Sequence, residues 1–597
     1  MAANYRQICI SFFVLGATIA CCAVPSHAQP TTNWTGNVDT DFFNDGNWDF
    51  GAPDEAFEYG GIDSTDVNQV AIIDVGTGDV TFDGVLLGEL IGGGNVIQNG
   101  GVLTFEAFTE TKIGVDGVNP SSWIMNNDAV ILYDGPLTGG GSGYGSDGLN
   151  GTDFDVGNGA SVATLELHDT AILRIGDDLK ISDNGTAAGG NVLLDGNAQI
   201  TAGSGTSIGS NGPSTLTIAE NALYVSGNSA GPGNSAEGYT NEGYLTMHQT
   251  EIVVRDNGRL WIRTLQHRGG EANVTIQDNA RFDIFDVFNF ANPQLGVTTV
   301  VGDVNGNERT SEVAENPGDI ATITIKNSGT MTVDSNPGGG AWTGLAISGG
   351  SNRGGNGGGG ESTIDVQDQG SFTVQQNLNM TLGTDFDAKS TLKVRGPDAA
   401  VAINGDLRMA LDPDGFVNEG SAILHAVITA ATHTTIQVGG DVNIDNGDLV
   451  VEIDGYTPLG GESYELIAAG SVTGTAFKSE DFTLATLLEP LSWEVDVDGS
   501  SVLLNVLGFA SDFDGNGNVN GDDFLAWQTG FGSGTTHAEG DADGDGDVDG
   551  DDFLIWQGQF GSVSGSASAA VPEPTSGMLV ILGCMTIGLR ASRRRSC

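Results

Sequence analysis

The body of this chain contains no cysteine: all five (Cys9, Cys21, Cys22, Cys584, Cys597) fall in its two terminal segments. No disulfide framework can therefore hold the body together, and no thiol can act there as nucleophile or metal ligand. Cations are scarce too. Only 21 Lys+Arg stand against 78 Asp+Glu in 597 residues, a formal charge of −57. That balance excludes a nucleic-acid binder, which needs a basic footprint for the phosphate backbone. It also argues against docking on anionic lipid headgroups. Helical periodicity is almost missing between Thr31 and Val506. The 93 glycines follow no three-residue period, which excludes collagen. Hydrophobic residues make up 39% and fall in short bursts, which argues against simple disorder. What remains is a Gly-rich, acidic β-protein of three to four domains at ~150 residues each.

The bursts share a spacing: apolar, x, apolar, five residues, apolar, x, apolar. It occurs at Leu165/Leu167/Leu173/Ile175, Val274/Ile276/Phe282/Ile284, Ile323/Ile325/Met331/Val333 and Ile364/Val366/Phe372/Val374. A version one residue shorter occurs at Leu216/Ile218/Leu223/Val225 and Leu245/Met247/Ile252/Val254. Each burst reads as two short strands around an Asx/Gly turn. Such a unit cannot bury its apolar face alone, so copies stack. The expected fold is mainly β: an irregular right-handed β-solenoid with a small α-helical module near the C-terminus. Copies recur every 30 to 60 residues or so, with Gly-rich insertions such as Gly139–Gly145 and Gly338–Gly360. The expected divisions are 29–130 as N-terminal cap with first strands (Trp34, Trp48, Pro53), 131–433 as the repeats, and 434–508 as a closing β-unit. The texture resembles the autotransporter-like β-strand repeats of secreted bacterial surface proteins.

Residues 1–28 read as a secretory signal: Arg6, an apolar stretch from Ile8, and Ser26-His27-Ala28 as a cleavage site. At the other end, after a linker at 563–571, the segment 572–597 holds Pro572-Glu573-Pro574, the apolar run Gly577–Leu589 and the basic cluster Arg593-Arg594-Arg595. The run is 13 residues long, short of the ~20 that a spanning helix needs. This tripartite end resembles the PEP-CTERM sorting signal of Gram-negative bacteria. The resemblance implies an exosortase-type partner and a place in the cell envelope or extracellular matrix, with membrane contact only through this tail.

The sharpest chemistry lies at 509–562. Asp512, Asp514, Asn516, Asn518, Asn520 and Asp523 fall at positions 1, 3, 5, 7, 9 and 12 of a calcium loop with Gly517 at its sharp turn. Asp541, Asp543, Asp545, Asp547, Asp549 and Asp552 repeat it 29 residues later, with Gly546 at the turn. Helices follow each loop at the same offset, Phe524, Trp527 and Phe531 on one face of the first, Phe553, Trp556 and Phe560 on the second. Val519 at position 8 should point into the small core. The segment from Asp512 to Gly561 has 12 acidic residues and no Lys or Arg. Two Ca²⁺ ions are expected to supply its folding free energy, the second loop binding tighter because position 5 is Asp545 rather than Asn516. The unit resembles a dockerin, and the resemblance carries over these twelve residues as ligands. It also implies a cohesin-like receptor, although the helices lack the Ser/Thr pairs and basic residues that dockerins often use for it.

Catalytic residues are not apparent. The histidines are scattered and form no HExxH or triad-like group. The one basic concentration is Arg255, Arg259, Arg263 and Arg268, a possible contact for an anionic glycan or exopolysaccharide; the alternative is local charge balance. The expected role is an exported, calcium-dependent, non-catalytic surface or matrix protein. The competing expectation is a secreted polysaccharide lyase or glycosidase displayed through the calcium module.

Overall fold

The computed structural model describes residues 32–563 except for internal stretches, the longest being 135–152, 227–243, 286–310 and 348–359. The leader at 1–28, the Pro572–Pro574 element and Arg593–Arg595 lie outside the described residues. So do Trp34, Pro53, Arg263 and Arg268.

The described chain is mainly β, with large parallel sheets, and two helices close its C-terminal end. Along most of the chain, each strand bonds in parallel to the third strand before it and the third after it. Ala163–Leu167 pairs with Gly190–Leu194, Ile172–Ile175 with Gln199–Ala202, and Leu179–Ile181 with Thr206–Ile208. Three strands therefore make one turn of the chain, and the turns stack in three rows. One row is a 14-stranded sheet running from Ala71–Ile73 to Ser479–Leu484. The other two merge at Ile436–Asn443, which pairs with both Ala400–Ile403 and Leu407–Met409. The arrangement is compatible with a β-solenoid. Pairing crosses residues 130–131 and 433–434 without a break, as between Val102 and Val130 and between Ala402 and Gln437.

Period-2 alternation sets which side chains go inside. Strands of the 14-stranded row alternate buried and half-buried positions. Parallel in-register pairing then piles equivalent residues into columns: Leu165, Val192, Leu216, Ile252, Val274, Ile323, Ile364 and Leu392 follow one another, and all are buried. Each such Leu or Ile contributes roughly 1.5–3 kcal/mol by leaving water.

The corner between the first and second strands repeats as strictly as the strands. Asn127, Asp169, Glu220, Asp256, Asp278, Asn327 and Asp368 occupy it with φ of 57, 58, 56, 61, 62, 51 and 51°. Asx residues tolerate this left-handed region best among residues with a side chain. Two residues on, the chain must be small: Ala129, Ala171, Ala198, Ala222 and Ala280 are fully buried there. Gly329 and Gly370 take the same place, where an added Cβ would lie 2.3 Å from the carbonyl oxygens of Ile276 and Ile325.

Four expectations need correction. The repeating unit has three strands, not two; the third is as short as Leu179–Ile181, too short for its alternation to stand out in the sequence. In the shorter bursts, Tyr224 rather than Leu223 joins the inner column between Ile200 and Leu260. Leu245/Met247 and Ile252/Val254 belong to consecutive turns, since Tyr244–Met247 pairs in one row and Thr250–Val254 in another. Turn lengths also range lower than expected: Ile252 and its partner Val274 are 22 residues apart, Val274 and Ile323 are 49.

Each end is finished differently. Near the start, Trp48 packs on Phe42 with ring centroids 5.1 Å apart and donates its indole N–H to the Phe42 carbonyl at 2.6 Å. Asp41 bridges to Ile72 and so extends one row. Near the other end, Ser463–Thr473 pairs antiparallel with Ser501–Leu507, which pairs antiparallel with Ser492–Val497. The parallel run stops there.

Candidate metal centre

Two helices follow this closing β-unit: α1 (Gly521–Gly530) and α2 (Gly550–Gln559). Asn520 caps α1 and Asp549 caps α2, each accepting from the backbone N–H two residues on. Asp523 and Asp552, the third residues of their helices, complete capping boxes by accepting from the cap residue's own N–H at 2.7 Å in both cases. The helix starts are thus fixed by the same residues that occupy positions 9 and 12 of the loops.

The helices face each other through their aromatics. Phe524 lies 4.9 Å from Trp556, and Trp527 lies 4.9 Å from Phe553, centroid to centroid. Each tryptophan also reaches the opposite loop: Trp527 donates to the Asp549 carbonyl at 2.8 Å and Trp556 to the Asn520 carbonyl at 3.0 Å. Phe531 and Phe560, expected on the same faces, pack against their own tryptophans with centroids 5.2 and 5.0 Å apart and stay largely exposed. Val519 and Val548, at position 8 of each loop, are buried. Their backbone groups bond to the chain following the opposite helix: Val519 N–H donates to Ser562, and Gly532 N–H donates to Val548.

Helix packing brings three of the six positions together in each loop. Carboxylate oxygens of Asp512, Asp514 and Asp523 all lie within 4.8 Å of one another, and so do those of Asp541, Asp543 and Asp552. Asp512 is held by the N–H groups of Asn516 and Gly517 at 3.0 and 2.7 Å; Asp541 is held by those of Gly544 and Gly546 at 2.8 and 3.1 Å. The remaining expected ligands serve the loop itself. Asn516 accepts from the Asn518 N–H, Asp545 from the Asp547 N–H, and the Asn518 carbonyl accepts from the Asn520 amide.

Such clusters hold like charges close together. At an effective dielectric of about 20, two carboxylates ~5 Å apart repel by about 3 kcal/mol. Burial, and then Asp523, raise the Asp512 carboxyl above its ordinary value. Asp543 is raised by burial and then by Asp545, Asp552 and Asp541. Asp547, in the open, is raised chiefly by Asp545. Every side-chain donor in the two triads is a carboxylate oxygen, a set that fits a hard cation such as Ca²⁺ and not a soft one.

The arginines lie elsewhere. Arg255 sits at a corner and pairs with Asp256 at 2.9 Å; Arg259 starts a strand in the second row, 3.7 Å from Asp283, which Arg281 also contacts at 3.1 Å. Sequence reasoning passed over two further groupings. Lys393 and His425 each lie 3.0 Å from Glu452, with Arg395 at 4.0 Å and Asp454 beside Arg395. His168 lies between Asp195 at 2.8 Å and Glu166 at 3.2 Å. Parallel register makes these groups neighbours although they are 27 or 59 residues apart, which a linear reading does not reveal. Comparisons with protein-family models, with curated proteins and with solved structures return no match.

Proposed function

We propose that this chain is an exported, calcium-dependent, non-catalytic surface or matrix protein. Its stacked strands form a right-handed β-solenoid that serves as spacer or adhesive surface, and its dockerin-like module holds two Ca²⁺ ions. The observation that carries the reading is the duplicated triad: Asp512/Asp514/Asp523 and Asp541/Asp543/Asp552, each built into a helix start by the same capping box. Asp512, Asp514 and Asp523 would hold one ion and Asp541, Asp543 and Asp552 the other. When bound, the ions supply the positive charge that offsets each cluster's repulsion. A cohesin-like domain or an exopolysaccharide is the proposed partner, reached after sorting by an exosortase through the Pro572–Arg595 signal.

Calorimetric titration of the full chain with Ca²⁺, alongside circular dichroism during EDTA addition, tests this. Two ions bound, with helix signal lost on chelation, is the expected result. An absence of binding at millimolar Ca²⁺ would remove the calcium module and the docking role with it.

A further inference from the structure

The module does not merely follow the strand stack in sequence. Gln559, at the last position of α2, accepts from both the N–H and the hydroxyl of Ser511, at 3.0 and 2.7 Å. Its amide donates to the Leu459 carbonyl at 2.7 Å, a residue one hundred positions earlier. That same carbonyl accepts from the Ala510 N–H at 2.7 Å, and the Ala510 carbonyl is in contact with the His537 ring nitrogen at 2.9 Å. Leu459 is itself fixed: Glu462 accepts from the N–H groups of Leu459 and Gly460 at 2.9 and 2.7 Å. A second contact comes from loop two, where Gly544 lies against Leu488 so closely that an added Cβ would be 2.6 Å from it. Leu488 packs on the core of the strand stack. Ala510 and Ser511 are completely buried, and Ser511 directly precedes Asp512, the first ligand position.

We infer that the helical module is an end-piece locked onto the closing β-unit by Gln559, so that ordering of the ligand loops is transmitted to the last strands of the stack. The inference rests on the calcium reading for its trigger but not for its geometry. In unit one the residue equivalent to Gln559 is Gly530, which cannot form this bridge. The duplication is therefore symmetric in its two aspartate triads and asymmetric in its attachment. Leu459, Leu488, Ala510 and Ser511 form the surface, and its partner is the C-terminal half of this chain's own module.

Hydrogen exchange on the full chain, with Ca²⁺ or with EDTA, tests the lock, using wild type and Gln559→Ala. In wild type, EDTA should lower protection at Gly461, Ala510 and Ser511 together with that of α1 and α2. In Gln559→Ala with Ca²⁺, protection at Ser511 should fall at least about fivefold, the loss of one hydrogen bond of ~1 kcal/mol or more, while calorimetry still counts two ions. If EDTA deprotects the helices and leaves Gly461, Ala510 and Ser511 unchanged, transmission is refuted and the calcium reading stands. If no ion binds, the calcium reading fails; the lock is then refuted if Gln559→Ala leaves Ser511 protection unchanged.

Discussion

Leu216 lies in its column between Val192 and Ile252, and the same holds for most buried residues of the strand stack: each is covered by its own kind from the turn before and the turn after. The helical module has no such redundancy. Its interior is Phe513, Val519, Ala542, Val548 and half-buried aromatics, wrapped by acid clusters that repel one another. The stack gains stability by repetition, so damage stays local to a turn. On the proposed calcium reading, the module depends on one kind of event, the arrival of positive charge at two points. The difference teaches where to look for control: in the module, not along the stack.

The largest expected effect breaks the module and spares the stack. Asp552→Ala removes a member of one triad, the N3 half of the α2 capping box and the acceptor for the Ala542 and Asp543 N–H groups. One of two calcium sites should vanish from the calorimetric count, and α2 signal should disappear from circular dichroism, while the strand band persists. A site occupied at 100 times its Kd contributes about 2.7 kcal/mol, which this variant forfeits before any loss of packing. Asp523→Ala should do the same at loop one. Wild-type titration should show the second loop filling first, and equal affinities would remove the reason for weighting Asp545 over Asn516.

The reverse experiment damages one turn of the stack. Ile323→Ala empties a position between Val274 and Ile364 and should cost about 2–5 kcal/mol in chemical denaturation. Calcium binding should be unchanged, since the module sits at the far end of the rows. A variant that loses both ions would show that the two regions are not separable in this way.

Much of this division was open to a reader of residues alone. The helix starts, the buried Val519 and the facing Phe524/Trp527 and Phe553/Trp556 pairs follow from local spacing, because each acidic loop and its helix are contiguous, whereas Phe531 and Phe560 stay largely exposed. The first two strands of several turns, such as 163–175 and 272–284, were legible for the same reason. The third strand was not: Leu179–Ile181 and Thr206–Ile208 are three residues long, too short for a period to register. One usable signal went unread. An Asx, Gly or Glu in the left-handed corner followed two residues on by Ala or Gly marks every turn from Asn127/Ala129 to Asp368/Gly370, and it reinforces the 190–202 turn, whose Val192/Leu194/Ile200/Ala202 spacing matches the other bursts. Cross-turn groups such as Lys393/His425/Glu452 depend on register, which insertions of unequal length conceal.

That corner signal sets a smaller test. Asp278 has φ of 62°, a conformation that a β-branched residue adopts badly. Asp278→Val should lower stability by about 1–2 kcal/mol, and Asp278→Gly should be close to neutral. Equal effects from both would mean that the carboxylate rather than the backbone matters at this corner.

The smallest effect is a slope with pH, and it again separates parts of the molecule. Burial holds His267 below its usual value, with His248 adding to that effect and Asp319 opposing it. Burial does the same to His433, and burial followed by Lys393 does it to His425. For these three the unfolded chain binds the proton more readily. Their contribution is complete above the unfolded value of about 6.5 and is lost as pH falls below it. His168 has the opposite sign. Burial works against its charge, but Asp195 and Glu166 outweigh that and raise it, so its contribution is present below about 6.5 and lost as pH rises through its folded value. Three against one predicts lower stability at pH 5.5 than at 7.5, with a slope of at most about 1.4 kcal/mol per pH unit for each histidine. His267 stands in an inner column after Ile181, Ile208 and Met247, so His267→Met suits its surroundings. Chemical denaturation at the two pH values should show a flatter dependence in that variant. An unchanged slope would place the acid sensitivity with His425 and His433, where the rows approach the closing β-unit, and not in the middle of the stack.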